Sequence, residues 1–272
     1  MNTLYDISDL VLARIAERLS EKGLSAADLA GKIDMFTKDV ELILNGERAL
    51  SLEELSSMAV ALDVPPYWFF LKSGNILDRW DMSIAELQDL LDNNPSMRGF
   101  VVGYLAESKV RTLLEKDLRI SNAHKYDDHD RNKKSDLVVT YMGKEVSFEV
   151  KSLQTNTVRT SSTPGIEMEA TFQCDASDRR TITLADGQQV ETTCLRYGDF
   201  DIIAINLFAF HGKWEYAFAL NHNLPHSNSN KYPKEIRDQL IKSSIKITWP
   251  LQEPFVSDPF LLLDELIALE GK

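Results

Sequence analysis

Two carboxylates and an ammonium, Asp136, Glu149 and Lys151, are spaced so that they can act on one chemical centre. They lie in the stretch Ser135-Asp136-Leu137-Val138-Val139-Thr140-Tyr141, Met142-Gly143, Lys144-Glu145-Val146-Ser147-Phe148-Glu149-Val150-Lys151. Two runs of strand-forming residues are separated there by two turn residues. If Met142-Gly143 is a two-residue hairpin loop, Tyr141 pairs with Lys144, Val139 with Val146 and Leu137 with Phe148, and Asp136 falls opposite Glu149. Side chains alternate faces, so Leu137, Val139, Tyr141, Val146, Phe148 and Val150 share one side while Asp136, Glu149 and Lys151 share the other. Opposed like charges destabilise a sheet unless something neutralises them, which a divalent cation would do. Such a set is the minimal equipment for metal-assisted hydrolysis of a phosphodiester. It is also what a solvated, salt-bridged strand face looks like. The tripeptide acid-x-Lys decides nothing, because it occurs at Glu107-Ser108-Lys109, Glu149-Val150-Lys151 and Glu270-Gly271-Lys272; only the middle one follows an Asp-headed strand.

These residues resemble the PD-(D/E)xK (restriction-endonuclease-like) nuclease superfamily. The resemblance implies a mixed central sheet flanked by helices, with the site on this hairpin. The family aspartate maps onto Asp136, its second acid onto Glu149 and its lysine onto Lys151, while Ser135 stands where the family has a proline, a position that varies among its members. Many members carry a further acid on the helix before the hairpin. Residues 98 to 116 read as that helix, because Phe100, Val101, Tyr104, Leu105, Ser108, Val110, Leu113 and Leu114 recur at helical spacing. Glu107 is the acid in its middle; the alternative for Glu107 is a solvated residue paired with Arg111 at i+4. Gln154 resembles polar residues that some members carry after the lysine. The resemblance further implies that Asp136 and Glu149, with Glu107, hold one or two Mg²⁺ ions, and that Lys151 positions the attacking water and stabilises the pentavalent phosphorus.

The elements around this hairpin must carry it. The chain has 272 residues, 43% hydrophobic and 26% charged, long enough for two domains. No apolar run approaches the ~18 residues of a membrane span, the N-terminus lacks a secretory pattern, and two cysteines make no disulfide framework, so a cytoplasmic protein without membrane contact is expected. The net charge is −12. Residues 1 to 97 hold 8 basic and 17 acidic side chains and residues 98 to 272 hold 22 and 25, so the acidity belongs mostly to the first part. A near-neutral second part tolerates nucleic acid; the first part would repel a duplex more than attract it.

Residues 1 to 72 read as one domain whose five short helices run over 8 to 72, with capping-box spacing at Ser25/Asp28 and Ser51/Glu54, and with Tyr67-Trp68-Phe69-Phe70-Leu71 closing the bundle. The opening Leu24-Ser25-Ala26-Ala27-Asp28-Leu29-Ala30 and the finish Ser51-Leu52-Glu53-Glu54-Leu55 to Ala61-Leu62-Asp63-Val64-Pro65 resemble the helix-turn-helix domain of the phage-repressor (XRE-like) family. The recognition helix this implies, 37 to 44, offers Lys38 against Asp39 and Glu41, a poor set for phosphate contact. Dimerisation or partner docking is the alternative role. Residues 73 to 97 read as a helical connector, and 98 to 272 as the nuclease-like domain.

Residues 119 to 134 read as a polar loop entering Asp136, with Lys133 and Lys134 among its candidate substrate contacts. Arg159 sits in a hydroxyl-rich segment. Arg179 and Arg180, in a loop between strands 170–174 and 181–184, are the leading candidates for phosphate contact, against a salt-bridged loop. The run 200 to 210 reads as a buried central strand with 214 to 220 as its partner, 245 to 250 as an edge strand and 258 to 269 as a terminal helix. The expected architecture is thus an α-helical helix-turn-helix bundle followed by an α/β restriction-endonuclease-like core. The function expected is a Mg²⁺-dependent DNA endonuclease of restriction or phage defence, acting as a homodimer. A non-catalytic DNA-binding regulator or antitoxin-like protein is the alternative, and an RNase or repair nuclease a third reading.

Overall fold

A computed structural model describes residues 7–125, 135–183, 187 and 189–270, without the side chains of Ser177, Asp178, Arg180 and Glu270. The chain divides between Asn93 and Asn94 into two compact units. The first is helical: α1 (Ile7–Lys22), α2 (Ala26–Lys32), α3 (Thr37–Leu44), α4 (Leu52–Leu62), a 3₁₀ turn at Pro66–Phe70, α5 (Ile76–Arg79) and α6 (Ile84–Asn93). Its core gathers Val11, Ile15, Leu29, Val40, Ile43, Met58, Leu62 and Phe69. The segment expected to connect the domains is divided instead. Arg14 of α1, 2% exposed, lies 3.4 Å over the Trp68 ring and reaches Asp78 at 3.1 Å, so residues around α5 belong to the first unit. Pro95 occupies the first turn of the helix that opens the second unit, where its missing N–H costs nothing.

Both expected capping boxes form. At α4, Ser51 Oγ accepts from the Glu54 amide at 3.1 Å and Glu54 accepts from the Ser51 amide at 2.9 Å, while Arg48 donates to the same carboxylate at 2.6 Å. The Arg48 guanidinium first, then the Ser51 amide, hold the Glu54 carboxyl below the ordinary glutamate range. A depressed native pKa contributes stability that is complete above the unfolded value and is lost as the pH falls through the native one. Melting curves of Glu54→Gln protein should therefore lie below wild type at neutral pH and meet it as the pH drops through the glutamate range. Ser51→Ala should cost about 1 kcal/mol.

The second unit consists of α7 (Pro95–Leu114), β1 (Ile120–His124), β2 (Leu137–Tyr141), β3 (Lys144–Ser152), β4 (Arg159–Thr160), β5 (Met168–Gln173), β6 (Asp175–Thr183), β7 (Gln189–Cys194), β8 (Ile202–Asn206), α8 (Phe208–His211), β9 (Tyr216–Leu220), α9 (Lys234–Arg237), β10 (Ser244–Trp249) and α10 (Pro259–Glu270). A five-stranded mixed sheet runs β1-β2-β3-β8-β9; β3 and β8 are parallel and the other neighbours antiparallel. One face packs on α7 and α10 through Leu137, Val139, Tyr141, Val146, Phe148, Ala106, Val110 and Leu263. The other face meets a second sheet, β10-β5-β4, where Ile203, Ile205, Ala217 and Ala219 pack on Ala170, Phe172, Ile245 and Ile247. The sheet is therefore flanked by helices on one side and by strands on the other, not by helices on both. Two-sided burial explains why β8 is apolar at every position but Asn206.

Three further expectations change. Residues 120 to 124 are an edge strand on β2, not loop, because Ile120 and Ala123 pack on the α7 side while Ser121 and Asn122 remain exposed. Residues 175 to 180 continue a strand in the β6-β7 ribbon, whose inner face buries Ile182 and Cys194 against Tyr232, Ile236 and Leu240. The strand expected over 200 to 210 stops at Asn206, and a helical turn closed by Gly212 at φ 68° follows it. Among the described residues no helix is long and apolar enough to cross a membrane.

Candidate active site

The hairpin of β2 and β3 has the register that its turn dictates: Tyr141 faces Lys144, Val139 faces Val146 and Leu137 faces Phe148. Met142 and Gly143 both adopt positive φ, 49° and 86°, the backbone of a primed two-residue turn whose twist matches the strands. Beyond the last pair, Asp136 stands beside β3: its Oδ2 accepts a hydrogen bond from the Val150 amide at 2.8 Å. Asp201 clamps the other side of β3, accepting from the Ser147 amide at 2.8 Å and the Ser147 hydroxyl at 2.7 Å, and so fixes β8 in its parallel register.

On the face away from α7, Lys151 Nζ lies 2.7 Å from Glu149 Oε1, with side-chain exposures of 22% and 6%. Burial alone would lower the lysine pKa. The charges of Glu149 and then Asp136 outweigh it, so the ammonium titrates above the ordinary lysine range. Both acids therefore act on one amine. The buried thiol of Cys174, just past β5, belongs to the same surroundings; burial pushes it up to about 12, against the pull of Lys151. Nothing in the sequence singled out Cys174, since its nearness to Lys151 arises only when the second sheet closes over the first.

Glu107 lies on α7 and does not pair with Arg111. It holds Lys125, 18 residues downstream, at 2.6 Å, while Arg111 leans toward Glu115 at 3.7 Å. Glu107 and Asp136 open onto one cleft of about 130 Å³, with Lys125 and Tyr104 on its walls. Glu149 is absent from that lining. Among the described residues no three His, Cys, Asp or Glu side chains converge as a ligand set; Asp136 shares a cleft with Glu107 and hydrogen-bonds the amide of Val150, the residue between Glu149 and Lys151. Two carboxylates suffice for Mg²⁺, a hard cation bound through one or two of them and otherwise by water. The donor set fits on that count.

Gln154 follows β3 as the chain crosses to the second sheet. Its Oε1 accepts from Thr171 Oγ1 and Gln173 Nε2, both at 3.3 Å. Thr171 and Gln173 alternate with Ala170, Phe172 and Cys174, so Gln154 is tied to the face of β5 opposite the core. The candidate phosphate contacts sit elsewhere. Arg159 on β4 and Lys246 on β10 both grip Glu169. Arg179 on β6 is exposed and lies 3.5 Å from Glu191 across the ribbon. Neither arginine belongs to the five-stranded sheet that carries the acids. Lys38 is exposed on α3 next to half-buried Asp39. Lys133, Lys134 and the Arg180 side chain lie outside the described residues.

No protein-family model matches the chain, and no curated protein is significantly similar to it. Among solved structures, the chain is similar to the restriction-modification controller protein C.AhdI from Aeromonas hydrophila, with 33% identity over 22% of this chain and 96% of that one, at a TM-score of 0.22. It is also similar to a hypothetical transcription factor, NHTF, from Neisseria, with 21% identity over 28% and 84% of the two chains and a TM-score of 0.25. A third similarity is to a bacterial homing endonuclease, I-Ssp6803I, with 18% identity over 51% and 85% and a TM-score of 0.29.

Proposed function

We propose that this chain is a Mg²⁺-dependent endonuclease that hydrolyses phosphodiester bonds of DNA, with a PD-(D/E)xK-type core behind an XRE-like helix-turn-helix unit, serving restriction or phage defence in the cytoplasm. The observation that supports this reading is the 2.7 Å contact of Lys151 Nζ with Glu149 Oε1, beside a strand whose Val150 amide is bound by Asp136. Asp136 would hold the cation, with Glu149 or Glu107 as the second carboxylate. When bound, Mg²⁺ lowers the pKa of water and offsets charge developing on the phosphoryl group. Asp136 is oriented for this by the Val150 amide. Lys151 donates to the attacking water or a phosphoryl oxygen, and its raised pKa keeps it charged throughout the neutral range. Cutting both strands of a duplex takes two such sites, so the working unit proposed is a homodimer.

One observation favours a second reading, a non-catalytic DNA-binding regulator. Glu149 is 4% exposed and already neutralised by Lys151. Incubation with plasmid and phage DNA, modified and unmodified, in Mg²⁺ or EDTA, separates the two. A nuclease nicks or linearises at least one substrate in Mg²⁺ only, and Lys151→Ala protein does not. Intact DNA in every arm, together with a mobility shift, establishes the regulator.

A further inference from the structure

The three-stranded sheet β10-β5-β4 has one apolar face and one polar one. Ile245, Ile247, Ala170 and Phe172 point inward, onto the five-stranded sheet. Alternation turns Lys246, Glu169, Thr171 and Gln173 outward, and Arg159 stands opposite Glu169 on the neighbouring strand. The two cations are well exposed, Arg159 at 72% and Lys246 at 54%, whereas the carboxylate they share is withdrawn, at 12%. One carboxylate between two cations leaves a positive charge over. The manner of the contact matters as much as the count. Arg159 gives Glu169 its Nε at 2.5 Å, and its two terminal nitrogens make no hydrogen bond among the described residues, so a guanidinium fork is left to the solvent. Gln154 adds a neutral donor: Thr171 and Gln173 hold its Oε1, which leaves the Nε2 hydrogens for another acceptor.

We infer that this polar face is a contact surface for duplex DNA, on which Arg159 and Lys246 each take a phosphate of the backbone. The inference rests on DNA as the partner, which the nuclease and regulator readings share, and not on catalysis. A planar fork held from behind by a carboxylate is preorganised for a phosphate, because the side chain gives up little freedom on binding. Lys246 springs from a strand two places away, about 10 Å across the sheet, and adds a point charge. Phosphates recur every ~3.4 Å of axis along one strand of a duplex, so a backbone crossing the three strands meets both cations. Gln154 joins this face to the acids. It follows Lys151 by three residues, at most about 10 Å along the chain. A backbone seated on the sheet is thereby held within a few base steps of Lys151.

The test follows the full chain binding a short labelled duplex by fluorescence anisotropy, in EDTA and in Ca²⁺, over a series of salt concentrations. Each phosphate neutralised contributes about 0.9 to the slope of log affinity against log salt. Arg159→Gln and Lys246→Gln should each lower that slope by about one and weaken binding about tenfold at roughly 0.1 M salt. Lys234→Gln, which removes an equal charge from α9, should change neither. Gln154→Ala should weaken binding at an unchanged slope, since a neutral donor releases no counterion. Each single substitution at 159 or 246 leaves Glu169 one cation, and circular dichroism melts establish which variants are folded. Either folded variant decides the matter, because lost stability alone does not move a salt slope. Wild-type affinity and slope in folded Arg159→Gln or Lys246→Gln protein, or an equal loss in Lys234→Gln, overturn this surface and leave DNA as the partner. Wild-type protein that binds no duplex at low salt in either condition removes the DNA reading and the inference with it.

Discussion

Lys151→Met protein is expected to lose cleavage by about 10³-fold or more, and in the absence of divalent cation its second unit should melt well below the wild-type one. Both effects have one origin. The ammonium is the positive charge shared by Glu149 and Asp136, and Glu149 is 4% exposed. Removing one member of a buried ion pair costs about 3–5 kcal/mol because the other charge is stranded. The 22% exposure of Lys151 places this pair toward the lower end of that range. A divalent cation would supply the missing charge, so Mg²⁺ should recover more stability in the variant than in wild type. At a hundredfold excess over its dissociation constant a bound ion stabilises by about 2.7 kcal/mol. Calorimetric melts with and without Mg²⁺ check this, with the two units resolved separately because a chain of two units need not unfold in one step. A variant that melts like wild type and still cuts would reduce Lys151 to a surface residue.

The hairpin was legible because three signals agreed: a two-residue turn, strict alternation on both arms, and charges confined to one parity. The structure has the same register down to Leu137 and Phe148. The capping boxes of α2 and α4 were legible for the same reason, since a hydroxyl and a carboxylate three residues apart can satisfy each other without help from the rest of the fold. What the sequence did not reveal was set by distant partners. The run Ile120-Ser121-Asn122-Ala123-His124 is too polar to read as a strand, and it is one only because β2 offers it an open edge. Asp175 to Arg180 looks like a loop by composition, yet its backbone belongs to the strand that pairs with β7. The unbroken hydrophobicity of β8 announced burial on both faces but not that a second sheet, rather than a helix, covers the face toward Cys174. Within the site, an i+4 partner for Glu107 was the local expectation. Lys125 won because the return of β1 beside α7 brings a less exposed cation closer than Arg111 can come.

Asp136→Asn and Asp136→Ala should be equally inactive and unequally stable. Cleavage should fall by about 10³-fold or more in both, because neither side chain carries the charge that holds a hard cation. Stability divides them. Asp136 Oδ2 accepts from the Val150 amide at 2.8 Å, on a strand whose neighbouring side chain at 149 is buried. Asparagine retains a carbonyl oxygen there and keeps that bond, so Asp136→Asn should stay close to wild type. Alanine leaves the amide without its acceptor, a loss of about 1–3 kcal/mol for a group withdrawn from water. Denaturant melts of the two variants beside a plasmid-nicking assay therefore separate the two duties of one carboxylate, clamping β3 and binding a cation. If Asp136→Asn cuts as well as wild type while Asp136→Ala is merely unstable, Asp136 is a structural clamp, the acids around Lys151 are a salt-bridged strand face, and the chain is the regulator rather than the nuclease.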